Sequence, residues 1–148
     1  MKAYNIHILA CKIGKVISVD YFNKTDSKNY SVEDDEVPHP DLRKALMAFQ
    51  EDLASAYSIM NDEVVKCFVP TGFSVTETKG QFFLIISGKF ETRHQDSVTV
   101  TSGKIPMEDS DKLVVKLNTL RTELWEYQWN SKSAQQEIPF EKEEVINE

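Results

Sequence analysis

The sequence predicts an α+β fold: a mainly antiparallel sheet of about six strands with two helices packed on it, in the order β-β-α-β-β-β-β-α. Three observations predict it. Two alternating apolar runs flank Gly14 near the N-terminus. Two later stretches carry apolar residues at helical spacing. Four strand-like runs, punctuated by turn residues, lie between those stretches. Short connections favour an antiparallel meander over parallel crossovers. With 148 residues, 41% of them hydrophobic and 28% charged, the chain has the size and composition of one globular domain. That domain is assigned to residues 1–130, and residues 131–148 to an acidic, flexible tail.

"AYNIHILACKI" places Tyr4, Ile6 and Ile8 on one face and Asn5, His7 and Leu9 on the other. "KVISVDYF" alternates through Ile17, Val19 and Tyr21, so the two runs read as a hairpin. "NYSVE" is a candidate for a short extra strand. The first helix is expected from about Pro40 to about Ile59, with Leu42, Ala45, Leu46, Phe49, Leu53, Ala56 and Tyr57 on its buried stripe. "EVVKCFVP", "GFSVTET", "QFFLIISGKFE" and "DSVTVTS" read as four strands. "FFLII" lacks alternation and is expected to be a central strand covered on both faces. The second helix is expected to start at a cap on Asp109 or Ser110 and to run to about Asn130. Its stripe is Leu113, Leu117, Leu120, Leu124 and Tyr127. At about 100° per residue, Val114, Val115, Trp125 and Trp129 fall on a second side, which is read as a partner interface.

A formal net charge of -7 disfavours general binding to a phosphate backbone. Cys11 and Cys67 lie in apolar runs and are read as reduced, buried thiols. The N-terminal segment is too short and too interrupted for a signal peptide or spanning helix, so a cytoplasmic protein is expected, with no membrane partner. His7, His39 and His94 have no zinc-site spacing, no Cys-x-x-Cys occurs, and no nucleotide fingerprint or nucleophile motif is present. Neither a metal nor a cofactor is expected, no catalytic residue is assigned, and the chain is read as non-enzymatic.

In "EDDEVPHPDLRKALMAF", Pro40 suits the first helical position, where its missing N–H would be unpaired anyway. Asp41 suits the first turn, and His39 sits near the cap. "HPD" resembles the signature of J-domain co-chaperones, but the preceding segment is acidic rather than basic, and nothing is carried over. The run Glu33 to Glu36 lacks the spacing of a calcium loop and reads as a solvated loop. Tyr21, Lys89, Phe90, Arg93 and Lys104 could stack a base and pair a phosphate, which makes capture of a nucleotide signal, countering host defence, one alternative function. "QQEIPF" resembles the peptide that docks on bacterial sliding clamps, through Gln135, Ile138 and Phe140. A replication or recombination accessory role is the second alternative.

"PHPDLRKAL", "VPTGFSVT" and "LIISGKF" together resemble small uncharacterised proteins of tailed phages and prophages. The resemblance implies a phage setting inside a bacterial host cell and brings no activity. The main expectation is therefore a small phage-type binding protein that associates with another protein, most simply with a second copy of itself.

Overall fold

Apolar residues at Ile6, Ile8, Cys11 and Ile13 make β1 (Ile6–Ile13). Their spacing jumps by three in the middle because the register with β2 (Ile17–Asn23) shifts between Ile8 and Ala10, leaving Leu9 as a β-bulge. The extra residue returns Cys11 and Ile13 to the face that Ile6 and Ile8 bury. The structure, a computed structural model, describes residues 5–92, 94, 96–108, 110–130 and 132. The expected hairpin is present, and "NYSVE" does form a strand, β3 (Lys28–Asp34), paired with β2.

The first helix begins as its sequence demands. In α1 (Pro40–Met47), Pro40 occupies the first turn and the His39 Nδ1 accepts from the Asp41 N–H at 3.2 Å. The expected single helix is broken, however. At Ala48 and Phe49 the turn tightens, with the Phe49 N–H donating to Leu46 three residues back, before α2 (Gln50–Ser55) resumes. Phe49 is thereby fully buried. Tyr57, expected on the buried stripe, is instead 45% exposed.

"EVV" was expected to open a strand. It forms a short helix, α3 (Asp62–Val65), whose first turn is capped by the Asn61 side chain. The two expected strands on either side of Pro70 are one long strand, β4 (Phe68–Thr78). A register shift between Pro70 and Gly72 absorbs the proline, which has no N–H to give a ladder. β5 (Gln81–Glu91) returns antiparallel to β4, and β6 (Ser97–Thr101) and β7 (Ile105–Pro106) both pair with β5. The Tyr57 hydroxyl donates to the Thr101 carbonyl at 2.9 Å and accepts from the Thr101 N–H at 3.1 Å, which fastens the end of the helical segment to β6. Last comes α4 (Asp111–Trp129), capped by Ser110, whose Oγ accepts from the Leu113 N–H.

The described strands form one seven-stranded antiparallel sheet in the order β3-β2-β1-β4-β5-β6, with β7 beside β6 on β5. The α+β class, the antiparallel sheet and the rough order of elements agree with the sequence. β5 is interior but lies next to the edge rather than in the centre. Leu84 and Ile86 are buried while Phe83 and Ile85, on the other face, are only half-buried, so "FFLII" is fully covered on one side alone. The core lies between that covered face and the helices: Val19, Phe68, Leu84 and Ile86 meet Leu42, Phe49, Leu53, Leu117, Leu120 and Leu124. Across the other face, Asp20, Ala10, Ser74 and Ile85 share one row, mixed in polarity and partly exposed. Among the described residues no helix is long and apolar enough to cross a membrane.

The two cysteines differ. Cys11 is buried, and burial pushes its thiol up to about 12, while Cys67 is half-exposed. Both are free.

Candidate functional site

β1 and β4 are neighbours for only three residue pairs: Ala10↔Ser74, Cys11↔Phe73 and Lys12↔Gly72. The Leu9 bulge follows at once, and beyond it the two strands no longer pair. A cleft of about 290 Å³ lies there, lined by His7, Val75, Phe82, Met107, Glu108, Val114 and Arg121. β1 contributes His7, β4 and β5 contribute Val75 and Phe82, and α4 contributes Val114 and Arg121. The walls are mainly apolar, and Phe82 and Val114 remain 45% and 38% exposed.

Arg121 is the chemically distinctive residue. Its Nε donates to the Ile8 carbonyl at 2.9 Å, a backbone acceptor without a β4 partner. The parted strands leave that carbonyl for a side chain to satisfy. Burial holds the guanidinium below its ordinary value, and no carboxylate among the described residues pairs with it. A half-buried cation with no ion-pair partner among the described residues keeps its terminal donors for water or a ligand.

His7 stands in the same cleft. Burial, then the charges of Arg121 and Lys24, hold its ring below the ordinary 6.5. The unfolded chain therefore binds a proton at His7 more readily than the folded chain does. Its contribution is fully present above pH 6.5 and is lost as pH falls toward the depressed folded value. His7 ring resonances are expected to titrate below 6.5 in an NMR pH series, and the acid-side slope of stability is expected to flatten in His7→Gln. A ring that titrates above 6.5 contradicts the placement of His7 beside Arg121.

A second concavity, about 380 Å³, runs between α1 and α4 and is lined by Asp41, Lys44, Ala45, Ala48, Val115, Lys116, Thr119 and Glu123. One end is tied by Lys132, whose ammonium donates to Asp41 at 2.9 Å and to Glu123 at 3.1 Å. Inside, Lys116 bonds Asp52 at 2.8 Å and lies 6.0 Å from the Phe49 ring. A third hollow, about 320 Å³, lies around Ala10, Asp20, Ser31 and Ser74.

The partner interface read from α4 divides. Val115 is 63% exposed at the α1–α4 groove, and Val114 lies in the cleft. Trp125 and Trp129 are only partly exposed and pack against the core. Trp129 meets Tyr21 edge-on at 5.0 Å, and Tyr21 stacks on Tyr30 at 5.5 Å. The tryptophan half of the second apolar side of α4 is thus used within the chain, while Val114 and Val115 remain exposed. The Trp125 indole N–H is buried without a partner among the described residues.

The described members of the nucleotide set lie apart from one another. Tyr21 and Phe90 point to the helix side, where Phe90 meets Phe68 edge-on at 4.9 Å. Lys89 is exposed near the far end of β5, and the Lys104 ammonium lies 5.7 Å from the Phe83 ring. Arg93 lies outside the described residues, as do Gln135, Ile138 and Phe140 and all of the expected tail except Lys132.

The acidic run before α1 meets Tyr127, whose hydroxyl donates to the Glu36 carbonyl. Burial, with Asp34, Glu36 and Asp35 nearby, pushes that phenol up to about 12. Among the described residues no group of three or more His, Cys, Asp or Glu side chains is placed to hold a metal ion.

Sequence alone gave no direct sign of the cleft. The available signal was Arg121 itself, four residues after Leu117 and three before Leu124, a charge on the margin of an apolar stripe. Compared with known proteins, the chain matches no family model, no curated protein and no solved structure.

Proposed function

We propose that the chain is a small non-enzymatic binding protein that works by protein–protein association, with a second copy of itself as the partner. The observation that carries this reading is Val115. It is an apolar side chain 63% exposed beside a groove floored by Ala45 and Ala48, on a helix whose stripe residues are all buried. Small floor residues admit a close approach, and a two-fold arrangement would set each α4 against its counterpart. Asp41, Lys44, Lys116 and Glu123 supply both signs of charge at the rim. The resemblance to tailed-phage proteins supports an infected bacterial cell as the setting.

Sedimentation equilibrium tests the reading. The expected mass is that of two chains for the wild type and one chain for Val115→Asp, with both folded by circular dichroism. Because each copy carries -7, association is expected to strengthen as salt screens the repulsion. A wild type that stays monomeric across concentration and salt rules the proposal out.

A further inference from the structure

We propose that the cleft between β1 and β4 is a binding site for a small organic carboxylate with an apolar body, the carboxylate being held by Arg121. The site is separate from the surface proposed for self-association. Val115 belongs to the α1–α4 groove, and the cleft takes Val114 and Arg121 from another side of the same helix.

Charge complementarity identifies the occupant. A guanidinium carries five N–H donors, of which the Nε–H alone is taken by Ile8. The remaining donors form the planar fork that matches a carboxylate. In a chain with 24 acidic residues, none of the described carboxylates lies within ion-pair distance of this guanidinium. A ligand carboxylate would supply the missing counter-charge. Next to the cation, Val75, Phe82, Met107 and Val114 offer apolar wall, and Phe82 and Val114 keep large exposed areas that a ligand would cover. The volume of about 290 Å³ suits a molecule the size of an arylacetic or short-chain fatty acid. A single charge fits better than a double one. Glu108 also lines the cleft and repels excess negative charge, while His7 is held toward its neutral form.

The test is an NMR titration of the full chain with three probes of similar body: phenylacetate, benzyl alcohol and phenyl phosphate. Phenylacetate is expected to give saturable shifts at the Arg121 Nε–H and at the amides of Val75, Phe82 and Val114. It is expected to bind about tenfold or more tighter than benzyl alcohol, the difference a charge-assisted hydrogen-bonded pair supplies. Bound phenylacetate should also move the His7 titration upward, because an anion beside the ring favours its charged form. Arg121→Gln is expected to erase the preference for the acid over the alcohol. Since that variant also loses the bond to Ile8, Phe82→Ala provides a second check at an exposed wall. It should weaken phenylacetate severalfold while the amide spectrum elsewhere stays unchanged. Equal binding of acid and alcohol overturns the proposal, as do shifts scattered away from the cleft or no saturable shift with any probe. Tighter binding of phenyl phosphate than phenylacetate overturns the carboxylate assignment. The titration is run on Val115→Asp as well, so that loss of self-association and loss of the ligand site are read separately.

Discussion

Phe49→Ala is expected to lower the unfolding free energy by about 3–5 kcal/mol, the range for truncating a buried aromatic ring. Phe49 is fully buried at the break between α1 and α2, surrounded by a core that includes Leu42, Leu46 and Leu53. Its ring also has the Lys116 ammonium at 6.0 Å, and that ammonium is anchored on Asp52 of α2. Truncation therefore leaves a cavity and loosens the place where α4 meets the first helices. Against a typical domain stability of about 5–15 kcal/mol, a large share is lost. Urea denaturation followed by circular dichroism measures it: the midpoint should fall with little change in slope. Met47→Ala, two residues away on the exposed side, is the control and should shift stability by no more than about 0.5 kcal/mol. If the two variants lose the same small amount, Phe49 is not in a packed core.

Gly72→Ala is the second large effect, and it acts by crowding rather than by loss. A Cβ at Gly72 would stand 2.3 Å from the Cys11 carbonyl oxygen and 3.1 Å from the Lys12 Cα. Both atoms are backbone in a strand paired on both sides, so neither can swing away. The sheet must open at the only three pairs that join β1 to β4. A cost of about 1–3 kcal/mol or more is expected, together with faster amide exchange in β1 and β4. Gly14→Ala, where the nearest atom to the new Cβ is 4.0 Å away, should be close to neutral. A Gly72→Ala protein as stable and as well protected as the wild type would show that the two strands do not meet this closely.

What could be read from the sequence was what local chemistry decides. Ser110, Pro40 and Asp41 announce helix starts through caps and dipole, and Leu113, Leu117, Leu120 and Leu124 announce a buried stripe. What could not be read was decided by contacts between distant segments. Pro70 looks like the end of a strand, yet a bulge carries β4 through it because β5 pairs on both sides of the shift. Trp125 and Trp129 look like an interface, yet Tyr21 and the core take up much of their surface. The cleft needs the Leu9 bulge, the short β1–β4 ladder and an arginine 113 residues further along the chain, and only the arginine leaves a local trace, as a charge beside an apolar stripe.

The place of β1 has a consequence for the nascent chain. β1 is flanked by β2 and β4, so the meander of β1, β2 and β3 leaves the ribosome with one side of β1 unpaired. That side waits for residues near 72, and the Ile8 carbonyl and the segment at Glu36 wait longer, for Arg121 and Tyr127 of α4. The first described strands are thus completed by the last described helix. The contacts that secure β1 come from distant segments, and ordering of this strand is expected to wait on long-range contacts rather than on its own hairpin.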